Sequence, residues 1–547
     1  MKILGFNSGH DVSYAILENG IPIIHNELER FNRRKCTTGD AMGFLIESSN
    51  PNIYKDAKYA VHYKPTQGYN YPQQSFSTIK NIVENNGGYF AEPGHHQSHA
   101  AAAFFSSEFR ESLIITFDGK GTENIQFINN PIIKNTIKSS PGHKTCFTIW
   151  EGKENKIEPV YIDPYKISWG TYWYGVTGGI FGLGTGLSTD KSGRGFQGGT
   201  VMGMAALGDP NKYLSYFSNI CTTHPDDNRP PQWEFLRDEV QKSEQNKFDV
   251  AASLQFMTEK TIKEQIDPYV KKYIQSGGKN LCFSGGVALN CVMAGKVFDW
   301  YPEIESIHHD PIPYDGGNAL GSARYLYHHI LDKPRIYNNP QNRTPYLGIT
   351  YSKDIVLKAL DRDDCLIQEV NDDDVLELLN QQNVISVFGG GSESGRRALG
   401  NRSILADPRY TTIKDKINSK VKHREWFRPF APSILREEMK NWFEKDIDSP
   451  CMSFAIAIKK EQRDKIQAIT HFDGTARVQT VKEEDNKWYY NFIKKWNTKT
   501  GVPILLNTSF NDREPIVETP EHAINCFLGT DIDYLYFRDY KLLIRKK

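Results

Sequence analysis

At 547 residues, with 39% hydrophobic and 24% charged side chains, the chain has room for two large domains and the composition of a globular protein. Its 66 basic residues balance 66 acidic ones, which excludes a global basic field for nucleic acid but leaves a local groove open. The opening MKILGFNSGHD has no signal-peptide pattern, no run reaches the length of a membrane span, and the eight cysteines (36, 146, 221, 282, 291, 365, 451 and 526) form no CxxC pair. These features predict a reduced, cytoplasmic chain with no membrane partner and no thiolate metal site.

The first thirty residues read as strand KILGFN, a polar SGHD turn, strand VSYAIL, an ENG turn and strand IPIIHNE. The pattern returns at SLIITFDG (112–119), followed by a hairpin in TCFTIWEGKENKIEPVYI (145–162). A strand, polar turn and hairpin occurring twice suggest a duplicated actin/Hsp70-like architecture; hairpins recurring in any mixed α/β chain are the alternative. From 168 to 208 glycine is dense, serving either close approach of backbone to a ligand or tight turns. FDVAASLQFMTEKTIKEQIDPYVKKYIQSGG predicts a long helix stopped by paired glycines. Strand NLCFSG then leads into GGVALNCVMAGKVF, a glycine turn opening a helix, and GGNALGSARYLYHHI (316–330) opens another; free N–H groups at such turns suit a phosphate or ribose. The polar, proline-bearing LDKPRIYNNPQNRTP (331–345) is expected to be a linker. It divides a first domain, 1–330, from a second α/β domain, 346–547.

Two constellations carry chemistry. In GHHQSHAAAAFF, His95 and His99 are four apart, so on a helix they share one face and can grip a metal ion. Surface or capping histidines are the bland alternative. Asp118 in TFDG and Asp315 in PYDGGNALG each end a predicted strand, and two imidazoles with two carboxylates suit iron or zinc. The second constellation is basic: Arg396, Arg397 and Arg402 around Gly400, then Lys420, Lys422, Arg424, Arg428 and Arg477, with Asn507 and Ser509 ending the apolar run GVPILLNTSFN. Guanidinium forks and short amides at strand ends fit bidentate clamping of a small phosphorylated acid. A solvated basic face is the other reading.

GHHQSHAAAAFF, FSGGVALN, PYDGGNALG, GRRALGNRSILADPR, FRPFAPS and LNTSFN followed by EPIVETP stand in this order over nearly the whole chain. In that order they resemble the nodulation and antibiotic-biosynthesis O-carbamoyltransferases. The resemblance implies an actin-like N-terminal domain related to the tRNA threonylcarbamoyl transferase fold, and a YrdC-like C-terminal domain. It implies that the second domain converts carbamoyl phosphate and ATP, with Mg2+, into carbamoyl-adenylate, which passes internally to the first domain and carbamoylates a hydroxyl. It places a divalent metal, iron(II), on His95, His99, Asp118 and Asp315. The transfer-site nucleotide falls to Gly119, Gly285, Gly286, Asn290 and Gly317. Carbamoyl phosphate and ATP fall to Arg397, Arg402, Lys422, Arg428, Arg477, Asn507 and Ser509. His10, beside the acceptor hydroxyl, and Asp118 are the implied catalytic groups.

Three positions depart from the family pattern: Arg396 where proline is usual, Thr200 where lysine is usual, and no glycine before Glu514. The expected partners are carbamoyl phosphate, ATP and a hydroxylated acceptor (a sugar, another small molecule, or a hydroxymethylpyrimidine of a nucleotide or DNA), and a homodimer is compatible. Two other functions compete: a threonylcarbamoyl transferase acting on tRNA, and a non-catalytic ATP-binding scaffold of actin type.

Overall fold

The computed structural model describes residues 1–48, 50–62, 73–139, 144–163, 168–184, 196–217 and 233–547. Cys221 and residues 185–195 of the glycine-rich stretch lie outside the described residues. The chain divides into two units, Met1–Thr344 and Pro345–Lys547, and both are α/β.

Unit 1 is built twice on one plan. Strands β1 (Lys2–Asn7), β2 (Ser13–Glu18), β3 (Ile21–Glu27), β4 (Tyr59–His62) and β5 (Tyr89–Ala91) stand in the order β3-β2-β1-β4-β5. The first three form an antiparallel meander, and β4 and β5 run parallel to β1. Strands β6 (Glu111–Thr122), β7 (Lys144–Lys153), β8 (Lys156–Ile162), β9 (Asn280–Ser284) and β10 (Ser306–His309) repeat that order and those directions as β8-β7-β6-β9-β10. The duplication suggested by the recurring strand, turn and hairpin is present.

Each half ends in a helix that follows its fifth strand: α1 (His95–Ser106) after β5, and, beyond α2 (Glu244–Gln275) and α3 (Cys291–Trp300), α4 (Asn318–Arg324) after β10. The paired glycines close α2 as expected, Gly277 adopting φ +90°. Alternation sends Leu4 and Phe6 of β1 into one core with Tyr14 and Ile16. Gly5 faces the opposite way, where a Cβ would come within 2.0 Å of the Ala319 carbonyl. Helices α1 and α4 touch through their smallest residues: a Cβ on Gly321 would sit 2.1 Å from the Ser98 carbonyl. Ser98 and Ala102 of α1 thus lie directly against Gly321 of α4.

Most of the polar segment 331–345 is bound to unit 1. Arg335 donates to the carbonyls of Phe104, Ser107 and Phe109 (2.5–2.9 Å) and lies over the Phe104 ring, capping the end of α1. Arg324 reaches the Asn342 carbonyl. The division between units accordingly falls after Thr344.

Unit 2 holds β11 (Cys365–Glu369), β12 (Ile385–Phe388), β13 (Arg402–Ala406), β14 (Ala431–Leu435), β15 (Phe454–Ala457), β16 (Thr475–Val481), β17 (Ile504–Ser509), β18 (Tyr534–Phe537) and β19 (Leu542–Lys546). They make one mixed sheet, β11-β19-β18-β12-β13-β17-β14-β16-β15. Its core gathers Leu379, Val387, Leu405, Leu505 and Tyr536 around Phe492 and Trp496 of α5 (Lys487–Thr500). No helix among the described residues is long and apolar enough to cross a membrane.

Unit 1 also buries histidines away from any candidate site. Burial pulls His308 and His328 down to about 3 and His329 to about 4, so each ring is neutral in the fold. An unfolded chain protonates them near pH 6.5. Their contribution is therefore complete above that pH and is lost as pH falls from about 6.5 toward about 3 for His308 and His328 and about 4 for His329. His308 meets the Ser106 hydroxyl at 2.8 Å, and glutamine can keep that contact. In urea titrations, His308→Gln should lower the slope of unfolding free energy against pH by about one proton, about 1.4 kcal/mol per pH unit. An unchanged slope would contradict the assignment.

Candidate functional site

One donor atom from each of His95, His99, Asp118 and Asp315 lies within 4.8 Å of the others. His95 Nε2 is 2.9 Å from Asp118 and 3.6 Å from Asp315, and His99 Nε2 is 3.4 Å from Asp315. Each half contributes. The imidazoles stand one turn apart on α1, Asp315 opens the turn leading into α4, and Asp118 sits where β6 breaks register with β7. Glu123, 28 residues beyond His95 in sequence, fixes the start of α1 by accepting from the N–H groups of His96 and Gln97 and meeting the fully buried His96 ring at 2.9 Å.

The ring of His99 is oriented from behind. Its Nδ1 lies 3.3 Å from Ser284 Oγ, whose own proton goes to Asp310 at 2.9 Å. The serine therefore accepts from Nδ1–H, which leaves the Nε2 lone pair toward the carboxylates, as in many metal-binding histidines. The sequence reading missed Glu123, Ser284 and Asp310. None of them lies beside His95 or His99 in sequence; Glu123 follows β6, while Ser284 ends β9 and Asp310 follows β10, so the pairing of β6 with β9 and of β9 with β10 brings them in.

Charge dominates the cluster. Burial alone would keep His95 neutral, but Asp315 and Asp118 outweigh it and lift its pKa to about 9. Burial works against an ionised Asp315 as well, yet His95 and His10 hold it well below the usual carboxylate range. Two buried carboxylates thus keep a positive charge beside them, which a proton on His95 or a bound cation can supply. A two-nitrogen, two-oxygen donor set with an oriented second shell fits a divalent ion of the iron or zinc type.

His10 stands at the edge, its side chain 53% exposed, with Nε2 3.0 Å from Asp315 and Nδ1 3.2 Å from Asp11. Desolvation lowers its pKa, but Asp315 and Asp11 raise it further, leaving it well above the usual value. A nearby grouping of Asp11, Glu29 and Cys36 is buried, and there Glu29 accepts the Cys36 N–H at 2.9 Å, closing a turn.

The predicted nucleotide residues of unit 1 line the same region, several with structural duties. Gly286 donates its N–H to Asp118 at 3.0 Å. Gly285, at φ +93°, passes so close to Phe117 that a Cβ would meet its carbonyl at 2.0 Å, and Gly317 is equally tight against Ile312. The Gly119 carbonyl accepts from the Ser168 and Thr171 hydroxyls. Asn290 caps α3 and exchanges hydrogen bonds with Gln255 at 2.8 and 3.1 Å, so its amide is committed. Thr200, at the position usually lysine, is fully buried.

In unit 2 the basic residues separate into two kinds. Arg402 does not face a ligand. It is fully buried, donates to the carbonyls of Gly389, Gly390, Asn401 and Ile349, and lies 3.6 Å over the Phe388 ring. Its fork engages the backbone carbonyls of the loops around it. Lys422 is buried against Ser509 and Asn511, so Lys422 and Ser509 bind each other. Asn507 ties the arginine-bearing loop to the sheet through Ala398, Ser433 and Gln479 (3.0–3.1 Å). Glu393 shapes the same loop by accepting from the N–H groups of Leu399, Asn401 and Arg402.

Arg424, Arg428 and Arg477 form the second kind. Burial, then the charges of Arg428 and Arg477, hold the Arg424 guanidinium well below its ordinary pKa. Three cations close enough to repel make a focus for a small polyanion. Arg397 is half-buried on the neighbouring loop. After LNTSFN, the Asn511 amide closes the turn on the Glu514 carbonyl at 2.7 Å, where the usual glycine is missing.

Residues 78–324 match the family description "Carbamoyltransferase N-terminus", and residues 376–545 match "Carbamoyltransferase C-terminus". The chain is 32% identical over 481 residues to nodulation protein NolO of Bradyrhizobium diazoefficiens, covering 83% of this chain and 79% of that one. It is 31% identical over 505 residues to an uncharacterized protein of Synechocystis, covering 82% and 75%. Nodulation protein U of Sinorhizobium fredii is 25% identical over 561 residues, covering 93% and 94%. Among solved structures, HypF of T. kodakarensis aligns with a TM-score of 0.36 at 11% identity, covering 59% of this chain and 48% of that one.

The Ser284 relay predicts a measurable effect on cation binding. Ser284→Ala should leave the fold intact and weaken binding of a divalent cation by about tenfold to hundredfold, the usual cost of losing an outer-shell partner. Equilibrium dialysis of the metal-stripped protein checks this, and an unchanged affinity would contradict the relay.

Proposed function

The chain belongs to the carbamoyltransferase family, and from that premise we propose that it is an ATP-dependent O-carbamoyltransferase working in two stages. What carries this reading is the division of chemistry between the units: a carboxylate–imidazole cluster in unit 1 and a repelling guanidinium cluster in unit 2. In the first stage, Arg424, Arg428, Arg477 and Arg397 hold carbamoyl phosphate and the ATP phosphates, with Mg2+ as co-substrate. Water displaces phosphate from carbamoyl phosphate. The carbamate oxygen then attacks the α-phosphorus of ATP, pyrophosphate leaves, and carbamoyl-adenylate forms.

In the second stage, the acceptor hydroxyl attacks the carbamoyl carbon, the bond to the adenylate oxygen breaks, and AMP departs. His95, His99, Asp118 and Asp315 would hold an iron(II)-type cation, which supplies charge neutralisation at the departing phosphate. His10 faces solvent at the edge of that cluster, placed to orient the acceptor hydroxyl, and would receive its proton in the state where the cation, rather than a proton on His10, balances Asp315. The N–H groups at Gly119 and Gly286 border the place where the adenylate would lie. Adenylation is needed because a neutral hydroxyl attacks carbamoyl phosphate slowly. The acceptor is a sugar, another hydroxylated small molecule, or a hydroxymethylpyrimidine. Mass spectrometry across a panel of such acceptors should show a gain of roughly 43 dalton for the true one, with pyrophosphate release as the control for activation.

Variants separate the stages. His99→Ala should abolish transfer while leaving carbamoyl-phosphate-dependent pyrophosphate release largely intact. Arg428→Ala should cost about 2–4 kcal/mol in carbamoyl phosphate recognition, and Arg428→Lys should not restore it, because an ammonium lacks the planar fork. Equal loss of both activities in folded His99→Ala, or wild-type activation in Arg428→Lys, would contradict this assignment.

A further inference from the structure

Asn318 is wholly buried at the start of α4. Its Nδ2 stands 3.2 Å from His99 Nε2, the nitrogen that faces Asp315. Its Oδ1 has no hydrogen-bond partner. A buried amide oxygen left unsatisfied costs about 1–3 kcal/mol, so packing alone accounts poorly for an asparagine here. Leucine or alanine would fill the position without that cost.

The Ser284 relay fixes which nitrogen of His99 carries the lone pair, and it is the one Asn318 now approaches. A cation on that lone pair takes it away from Asn318. The N–H group would then point at a positive centre with nothing to accept it. The oxygen and nitrogen of a carboxamide occupy nearly the same volume, and a half-turn of the group exchanges them. After the exchange the oxygen, the group that lacks a partner, stands beside His99 and Asp315.

Resting on the reading of this cluster as a cation centre, we propose that Asn318 is a further ligand, its carboxamide oxygen joining His95, His99, Asp118 and Asp315 in a donor set of two nitrogens and three oxygens. This donor set bears on which ion is held. Four protein ligands already fill a tetrahedral zinc sphere. A fifth oxygen selects an ion of higher coordination number, such as iron(II) or manganese(II). Asn7 offers a comparison from the other half of the duplication. It ends β1 as Asp118 nears the end of the regular pairing in β6, and its oxygen too lacks a partner, but its Nδ2 donates to the carbonyls of His10 and Asp11 and so holds that turn.

The test uses the full chain, stripped with chelator and titrated anaerobically with Co2+ as a spectroscopic probe. Wild-type protein should bind one equivalent with the weak visible bands of a five- or six-coordinate ion. Asn318→Ala should bind about tenfold to hundredfold more weakly and show the stronger bands of a four-coordinate ion. Asn318→Asp keeps the shape and an oxygen donor, so it should retain weak bands and bind more tightly than wild type. It carries the test if the alanine variant fails to fold. An unchanged spectrum in Asn318→Ala, or weaker binding by folded Asn318→Asp, overturns the assignment of Asn318 alone. Failure of the wild-type protein to bind Co2+ would instead remove the cation centre itself, and this inference with it.

Discussion

Two carboxylates, the buried Asp315 and the partly buried Asp118, stand together between the halves of one duplicated unit, and most of what surrounds them is a response to that charge. Burying one ionised carboxylate is costly, and burying two side by side is more so unless positive charge comes with them. His95 supplies it and stays protonated to unusually high pH as a result; a bound cation would supply it instead. The backbone contributes as well, through the Gly286 N–H on Asp118. The small residues where α1 meets α4, and the glycines that let β9 crowd the end of β6, bring these groups within reach.

The duplication accounts for the shape of this arrangement. Each half offers the turn after its first strand and the helix after its fifth. Duplicated turns and helices meet at the same place, so four chain segments far apart in sequence converge there. The halves have diverged in what those positions carry. The first-strand turn is closed by the Asn7 amide in one half and carries the acidic Asp118 in the other. One helix carries histidines where the other begins with Asp315 and Asn318. A twofold scaffold thus yields an asymmetric site, with nitrogen donors from one half and oxygen donors from the other.

Much of this was legible in the sequence because it depends on local rules. Apolar runs located β1 to β3 and β6 to β9 but not the short β4, β5 and β10, paired glycines ended α2, and the four-residue spacing placed His95 and His99 on one face. The Asp-Gly setting of Asp118 and Asp315 singled them out, but not as strand ends: β6 runs past Asp118 to Thr122, and Asp315 opens a helical turn well beyond the end of β10. What the sequence hid depends on long-range partners. Arg402 reads like Arg428 along the chain, yet one is folded onto four backbone carbonyls and the other stands close enough to Arg424 to lower its pKa. Asn290 and Lys422 look like ligand contacts until Gln255 and Asn511 are seen to occupy them. Ser284 sits within FSGGVALN, but nothing local marks it, Glu123 or Asp310 as the partner of a histidine. Each matters only because a strand pairing or a helix start brings it behind a histidine. The segment 331–345 has the composition of a tether, and the arginine that anchors it, Arg335, is visible as an anchor only once α1 ends beneath it.

The central claim is that the buried charge of Asp118 and Asp315 exists to hold a cation. Anomalous diffraction from crystals of the iron(II)-loaded chain, collected on both sides of the iron absorption edge, tests it most directly. The account predicts a single strong edge-dependent peak per chain, within coordination distance of His95, His99, Asp118 and Asp315. A map with no such peak, or with its peak away from these four side chains, would contradict it.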